Sequence, residues 1–248
     1  MISLIGLLEN RLVYHPQNRK HWLDSPAERT EEIYLTTAQD VRIHARWYPC
    51  EGADEVILLC HGNAGNLSGR GWMCAKLRSS LERSVLVIDY PGYGFSDGRP
   101  SERGCYAAAS AAIDWLSAEH NIPSECVIPY GESLGGGVAT ELASRYPMRA
   151  LVLVRTFTSL PEVGKSIVPF LPTNLLMRNR FDNLSRISAI DCPVFIAGAT
   201  RDGLVPFAHS RRLFVAAKGP KTFLALEGLE HNDPLPEYFM PALRKFLE

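Results

Sequence analysis

The sequence predicts an α/β protein whose doubly wound, mostly parallel, eight-stranded sheet is flanked by helices. Six short, nearly continuous apolar runs rich in branched residues recur along the chain, as is typical of strands buried on both faces. Helix-like stretches separate most of these runs, which implies right-handed crossovers and parallel neighbours. The 248 residues have an ordinary globular composition, with 46% hydrophobic and 21% charged residues, and we expect one domain over residues 1–248.

The predicted strands fall into two groups. The first two, "EIYLTT" and "VRIHARWYP", alternate between apolar and polar residues and indicate an antiparallel opening pair. The six runs that follow predict buried strands: "EVILLC", "SVLVIDY", "CVIPY", "ALVLV", "PVFIAGA" and "KTFLALEG".

Helix-like segments follow most of these strands. Ser101 suits a helix N-cap, whereas Pro206 and Pro234 occupy positions where a first-turn proline is tolerated. The predicted helices are residues near 67–83, "SERGCYAAASAAIDWLSAEH", "LGGGVATELASRY", "PFAHSRRLFVAA" and "DPLPEYFMPALRKFLE".

One connection is longer than a usual crossover. Between "ALVLV" and "PVFIAGA" lie about 38 residues, 155–192, with three prolines and weak periodicity. We expect a small lid insertion over the carboxyl edge of the sheet, where open parallel sheets bind ligands.

Charge and cysteine content exclude several classes of protein. The formal net charge is −1 and no Lys/Arg block is present, so we expect no nucleic-acid partner. The six cysteines are irregularly spaced without a C-x-x-C pair, which suggests neither a zinc site nor a redox pair. We expect reduced, structural thiols, a cytoplasmic location, and no metal or other cofactor.

The amino-terminal run "MISLIGLLENRLVYHP" is apolar on one face but lacks a basic start. Glu9 interrupts it well short of the roughly 20 residues that a spanning helix needs, so we expect no membrane span in this chain. Two alternatives stay open: a short amphipathic helix packed on its own protein, or the stub of a longer anchor, which would make the protein peripheral to a membrane.

A serine stands between glycines where an apolar strand turns into a helix, in "CVIPYGESLGGGVATEL". A serine hydroxyl is a weak nucleophile that needs a base, and the base needs an orienting acid. Asp202 follows the next-to-last predicted strand and His231 follows the last one, so Ser133, Asp202 and His231 stand in the order that a nucleophile elbow requires. Poorer candidates for the acid are Asp182, Asp191 and Asp233, and the competing histidines include His61 and His209.

Stabilising an oxyanion requires backbone N–H groups that are fixed before the charge appears. The residue after the serine, Leu134, offers one donor at the start of a helix. The glycine-rich "HGNAGN" after "EVILLC" offers the second, which we assign to Asn63, with Ala64 as the alternative.

Apolar side chains of the insertion are candidates for an acyl pocket, among them Phe157, Phe170 and Leu175, with Tyr93 at its mouth. The same side chains could merely cover the edge of the sheet.

Taken together, the motifs "HGNAGN", "DYPGYGFSDGRPSE", "GESLGGG", "FTSL", "RDGLVP" and "GLEHND" make the chain similar, from about residue 30 to the end, to one branch of the α/β-hydrolase superfamily. That branch has a small lid and an often membrane-anchored amino terminus, and it includes serine esterases and protein-depalmitoylating thioesterases. "RLVYHP", residues 11–16, resembles the segment that follows the anchor. The resemblance implies the α/β-hydrolase fold, a catalytic triad of Ser133, Asp202 and His231, and hydrolysis of acyl esters or thioesters without a cofactor.

The predicted activity is therefore hydrolysis of a small carboxylic ester or thioester through an acyl-enzyme. One alternative keeps the triad and changes the bond: a serine peptidase that releases short peptides or amino-terminal residues. The other is a non-catalytic binding protein on the same fold.

Overall fold

The computed structural model describes residues 4–23 and 29–248. Residues 1–3 of the predicted apolar amino-terminal run lie outside the described residues. Eight strands of the described part form one sheet in the order β8-β7-β6-β5-β3-β4-β2-β1. Their bounds are β1 Glu31–Thr36, β2 Arg42–Tyr48, β3 Val56–Cys60, β4 Ser84–Ile88, β5 Val127–Glu132, β6 Leu151–Val154, β7 Val194–Ala199 and β8 Lys221–Leu226.

The pairing directions confirm the predicted fold class. β2 pairs antiparallel with both β1 and β4, whereas the pairs from β4 through β3, β5, β6 and β7 to β8 are all parallel. The chain order reverses around β3, because β4 lies on one side of it and β5 on the other. Loops that leave β3 and β5 therefore diverge, and the crevice between them is where open α/β sheets place ligands.

Nine α-helices lie in the described part of the chain: α1 Leu4–Val13, α2 Gly71–Leu81, α3 Glu102–His120, α4 Leu134–Arg145, α5 Leu160–Ile167, α6 Thr173–Leu176, α7 Asn183–Ile187, α8 Phe207–Ala216 and α9 Phe239–Leu247. The predicted N-cap of α3 is confirmed, since the Ser101 hydroxyl accepts a hydrogen bond from the Gly104 amide. In the described part of the chain, no helix combines the length and the apolar character that crossing a bilayer demands.

The last helix begins later than the sequence predicts. We expect Pro234 in its first turn, but α9 starts only at Phe239, after Tyr238 as N-cap. A second proline, Pro236, explains the delay, because the residue before a proline is disfavoured in the helical region.

The sheet is covered on both faces, which explains its continuous apolar strands. Along β3, Val56, Leu58 and Cys60 pack in the cluster that contains buried residues of α3 and α4. The intervening Ile57 and Leu59 pack in the cluster that contains buried residues of α2 and α9. Since successive side chains of a strand point to opposite faces, a strand buried on both sides has no polar positions.

The six cysteines are all free, and three of them are buried in the core: Cys60, Cys74 and Cys105. Burial raises the pKa of both the Cys60 and the Cys74 thiols to about 12. These thiols are therefore protonated at neutral pH and behave as small apolar side chains.

Two features lie at the carboxyl edge of the sheet. The connection between β6 and β7 contains the three short helices α5, α6 and α7. In addition, His15–Pro16 pairs in parallel with Ala64–Gly65, so the segment after α1 joins the loop that follows β3. The sequence did not predict this second, two-stranded pairing.

Candidate active site

Ser133 occupies a sharp turn between β5 and α4. Its backbone has φ 52° and ψ −115°, a conformation that is costly for a residue with a side chain. The turn is possible because its neighbours lack side chains: a Cβ on Gly131 would lie 2.5 Å from the Gly135 oxygen, and one on Gly135 would lie 1.9 Å from the Cys60 oxygen. The strain therefore presents the Ser133 hydroxyl at the edge of the sheet.

The structure brings together the three predicted side chains Ser133, Asp202 and His231. His231 Nε2 lies 3.0 Å from Ser133 Oγ, and His231 Nδ1 lies 2.7 Å from Asp202 Oδ2. Ser133 and His231 are 98 residues apart in sequence, and His231 and Asp202 are 29 apart, so only the fold creates these contacts. This geometry allows the imidazole to accept the serine proton while the carboxylate holds the ring.

Asp202 is buried and its two oxygens have different partners. Oδ1 accepts hydrogen bonds from the Leu204 and Val205 amides, at 2.9 and 2.7 Å. Oδ2 remains for the histidine. The turn that contains Asp202 thus fixes the carboxylate in one orientation.

Two of the competing acids, Asp182 and Asp233, have other partners. Asp182 is the N-cap of α7, where its side chain accepts from the Ser185 amide. Asp233 accepts a hydrogen bond from the Glu230 amide. Both interactions are local to their own turns, which is the ordinary role of aspartate in such positions.

Arg155 supports the His231 loop, a role that the sequence reasoning missed. It directly follows β6, is 2% exposed, and donates from Nη1 to the His231 carbonyl oxygen at 2.7 Å. Its backbone has φ 51°, which marks a second strained position at the same edge. The sequence does contain a signal for this role, because Arg155 is a charged residue directly after a buried apolar strand.

The predicted oxyanion residues lie at the elbow. A Cβ added to Gly62 would lie 3.7 Å from the Ser133 Cβ, so the HGNAGN loop, residues 61–66, passes beside the serine. Leu134 opens α4, the helix that begins at the serine. The amides of Asn63 and Leu134 therefore belong to two segments that meet around Ser133.

A buried charged cluster supports the HGNAGN loop. Asp89, directly after β4, is fully buried; its Oδ1 accepts from the Leu67 amide at 2.8 Å and lies 3.3 Å from His61 Nε2. Burial alone would raise the pKa of Asp89, but the imidazoles of His44 and His61 beside its carboxylate hold that pKa below the ordinary value. Burial would lower the pKa of His44, but the neighbouring carboxylates of Asp89 and Glu32 raise it instead. Within residues 4–23 and 29–248, no His, Cys, Asp and Glu side chains are grouped as a metal site requires.

The four predicted pocket residues do not share one environment. Tyr93 is fully buried, with its hydroxyl donating to the Asn63 carbonyl oxygen at 2.7 Å, and Phe157 is 2% exposed. Phe170 and Leu175, in the insertion, are 83% and 85% exposed. Tyr93 therefore supports the loop, and of these four residues only Phe170 and Leu175 expose apolar surface to a ligand.

An open parallel sheet with a serine at a strained strand-to-helix turn, and with an acid and a histidine after later strands, defines the α/β-hydrolase architecture. The chain belongs to this family: the family model for the alpha/beta hydrolase fold matches residues 55–185.

Two relatives and one solved structure illustrate the similarity. The chain is 36% identical to the uncharacterised protein Rv2307c of Mycobacterium tuberculosis, over 100% of this chain and 90% of that protein. It is 31% identical to human alpha/beta hydrolase domain-containing protein 17B, over 96% of this chain and 83% of that protein. An esterase of Pyrococcus furiosus has the same fold, with a TM-score of 0.78, 17% identity, and coverage of 95% of this chain and 96% of the esterase.

Proposed function

We propose that this protein is a serine hydrolase that cleaves carboxylic ester or thioester bonds through an acyl-enzyme. The observation that carries the proposal is the connected series Ser133 Oγ, His231 Nε2, His231 Nδ1 and Asp202 Oδ2, with contacts of 3.0 and 2.7 Å. A strained serine at a strand-to-helix turn is costly to maintain, which favours a catalytic role over a purely structural one. The proposal that the cleaved bond is an ester or thioester is supported by the esterase of Pyrococcus furiosus, which has the same fold.

In the first half of the reaction, Ser133 Oγ attacks the acyl carbon while His231 Nε2 takes the hydroxyl proton. The Asp202 carboxylate stabilises the imidazolium that forms, and the amides of Asn63 and Leu134 donate to the oxyanion. The C–O or C–S bond then breaks, and His231 gives its proton to the departing alcohol or thiol. The product of this half is an acyl ester of Ser133.

In the second half, water replaces the leaving group. His231 Nε2 accepts a proton from the water as its oxygen attacks the acyl carbon, and the same two amides hold the second oxyanion. The proton returns to Ser133 Oγ, and the free acid leaves. The exposed apolar side chains of the insertion, Phe170 and Leu175, would contact the acyl chain before and during this cycle.

An alkyl fluorophosphonate tests the nucleophile directly. We expect it to modify the wild-type protein at Ser133 alone and to leave Ser133→Ala unmodified, with peptide mapping by mass spectrometry as the measurement. Modification at another residue, or equal modification of Ser133→Ala, would overturn the proposal.

A substrate panel tests the bond. We expect p-nitrophenyl butyrate and a butyryl thioester to be hydrolysed, and an aminoacyl anilide to be hydrolysed far more slowly. Preferential cleavage of the anilide would show a peptidase, whereas Ser133 labelling without turnover of any member would contradict the ester and thioester assignment.

A further inference from the structure

The HGNAGN loop is held by its carbonyl groups. Two bonds come from tyrosines after β4: Tyr90 Oη donates to the His61 oxygen and Tyr93 Oη donates to the Asn63 oxygen, each at 2.7 Å. A third lies within the loop, where His61 Nδ1 donates to the Gly62 oxygen at 2.7 Å. Because a trans peptide is planar, the N–H that follows a carbonyl points in the opposite direction. Fixing these carbonyls therefore fixes where the next amides point.

The amino-terminal segment holds the same loop from a different side. We call residues 9–18 the N-terminal strap. The His15 amide donates to the Asn63 oxygen at 3.1 Å, and the Gln17 amide donates to the Gly65 oxygen at 3.0 Å. In return, Asn63 Nδ2 donates to the Val13 oxygen at 3.0 Å. The Asn63 carbonyl thus has two donors, one from the strap and one from Tyr93.

These strap contacts use the main chain of the strap. The side chains of His15, Pro16 and Gln17 are exposed. The Gln17 carbonyl accepts from Asn66 Nδ2 at 3.1 Å and from the Gly94 amide at 2.9 Å, so the strap also joins the HGNAGN loop to the loop after β4. An added strand of this kind resists bending of the loop, because several bonds would break together.

The strap also binds the insertion, in the segment between α6 and α7. The buried Glu9 carboxylate accepts from the Arg178 and Asn179 amides, with distances of 2.7 to 3.0 Å. Tyr14, 3% exposed, donates from its hydroxyl to Asn179 Oδ1 at 2.8 Å. One ten-residue segment therefore contacts both the loop beside Ser133 and the insertion between β6 and β7.

The geometry points to the N-terminal strap as a positioning element of the active site: it holds the carbonyl and the side chain of Asn63, and so restrains the residue whose amide is the proposed oxyanion donor. This inference rests on the proposed serine hydrolase function. The strap contacts no reacting atom and acts through Asn63. Because the oxyanion forms only in the transition state, loosening the loop lowers kcat and leaves KM nearly unchanged.

A matched pair at position 15 tests the inference. His15→Pro removes the N–H that donates to Asn63, whereas His15→Ala keeps that N–H and removes only an exposed side chain. We expect kcat on p-nitrophenyl butyrate to fall by about 10- to 100-fold in His15→Pro, with KM within about threefold of wild type, since single oxyanion donors are worth about 100- to 1,000-fold. His15→Ala should have wild-type constants, and both variants should keep a wild-type unfolding temperature.

Asn63→Ala provides a second measurement should His15→Pro fail to fold. It removes the side-chain bond to the Val13 carbonyl and keeps the Asn63 amide, and we expect the same loss in kcat with little change in KM. The strap is overturned as a positioning element if the folded variant has wild-type kcat, if KM rises instead, or if His15→Ala loses as much as His15→Pro.

Labelling separates this inference from the proposed function. If the alkyl fluorophosphonate does not modify Ser133 of the wild-type protein, the hydrolase proposal fails. If it modifies wild type and His15→Pro at the same rate, only the strap inference fails. We expect slower modification of His15→Pro at the same serine, since the phosphonyl oxygen occupies the position of the oxyanion.

Discussion

At the scale of single residues, the candidate site depends on Asp202, whose two carboxylate oxygens have different hydrogen-bond partners. Asp202 gives one oxygen to the Leu204 and Val205 amides and the other to His231. Because the two amides occupy Oδ1, the carboxylate offers Oδ2 as the hydrogen-bond acceptor for His231 Nδ1. The proton of a neutral His231 is therefore held on Nδ1, and Nε2 is free to accept from Ser133.

Asp202→Asn tests whether these hydrogen bonds orient the imidazole of His231. The side-chain oxygen will accept from the Leu204 and Val205 amides, so its NH₂ will face His231 Nδ1 and force the ring proton onto Nε2. The imidazole then cannot accept the Ser133 proton, and we expect kcat on p-nitrophenyl butyrate to fall by about 10⁴-fold. Steady-state kinetics measure the effect, and an unchanged unfolding temperature is the control. A loss below tenfold would show that Asp202 does not orient the base.

Ser133→Ala should lower kcat further, by about 10⁶-fold, because it removes the nucleophile itself. The double variant with Asp202→Asn should be no slower than Ser133→Ala alone, since the residues act as a unit. Additive losses in the double variant would argue that the two residues act independently.

At the scale of elements, close contacts set the position of α4 under the serine. A Cβ on Gly136 would lie 2.1 Å from Thr156 Oγ1, and one on Gly137 would lie 2.5 Å from Phe181 Cδ1. Thr156 Oγ1 also donates to the Ser133 carbonyl at 2.7 Å. These glycines let α4 pack closely beneath the elbow, because the gap between α4 and the chain after β6 leaves no room for a Cβ.

Gly136→Ala should therefore destabilise the protein. The added methyl group overpacks the contact with Thr156, and we expect the free energy of unfolding to fall by about 1–3 kcal/mol. Gly203→Ala is the matched control, because a Cβ there meets nothing within 4 Å. Denaturant unfolding measures both variants; equal stability of the two would contradict the assigned contact.

Glu55 ties together three segments at the amino edge of the sheet. Its carboxylate pairs with Arg83 Nε at 2.6 Å and with Arg149 Nε at 2.5 Å, just before β3, β4 and β6. Burial alone would raise the pKa of Glu55, but the hydrogen bonds from these two arginines hold it below the ordinary value. The folded state thus favours the ionised carboxylate.

Glu55→Gln should cost about 1 kcal/mol of stability at pH 7, as a partly exposed pair does. Because the folded pKa is lowered, the wild-type advantage is present above the unfolded pKa of about 4.3 and disappears as the pH falls through the lower folded value. Urea titrations of both proteins between pH 7 and pH 3 measure the difference. If the stability difference between wild type and Glu55→Gln grew as the pH fell, the assigned direction of the Glu55 pKa shift would be wrong.

At the scale of the whole molecule, the insertion and the N-terminal strap meet above the sheet. Arg178 and Asn179 bind Glu9, and residues of the insertion leave large apolar side chains uncovered, notably Phe170 and Leu175. Exposed side chains of this kind contribute little to stability and are free to contact a substrate. Selection of the acyl chain is therefore expected to depend on the insertion.

The double variant Phe170→Ser and Leu175→Ser tests this expectation. We expect KM for p-nitrophenyl octanoate to rise several-fold while the constants for the acetate stay within twofold, since each buried methylene is worth about 0.8 kcal/mol. Stability should change by no more than about 0.5 kcal/mol, as for other surface substitutions. Val215→Ser, at a 79% exposed position of α8, is the control. An equal change in KM for the octanoate and the acetate would show that Phe170 and Leu175 do not contact the acyl chain.

The sequence by itself determined the strands, most of the helices and the chain order of the candidate site. It could do so because a buried strand, a glycine-flanked elbow and a residue after a strand end are local patterns. The start of α9 was predicted too early, since two prolines acted against the helical pattern there.

Only the tertiary structure decided which distant segments meet. Arg155 reaches the His231 carbonyl across 76 residues, and Asn63 reaches the Val13 carbonyl across 50. In each of these bonds the acceptor is a main-chain carbonyl, which every residue carries, so no residue type marks the acceptor in advance. The strands could be predicted from the sequence because buried positions require apolar side chains. The contacts that support the site could not, because main-chain hydrogen-bonding groups are the same in nearly every residue and only the fold decides which of them meet.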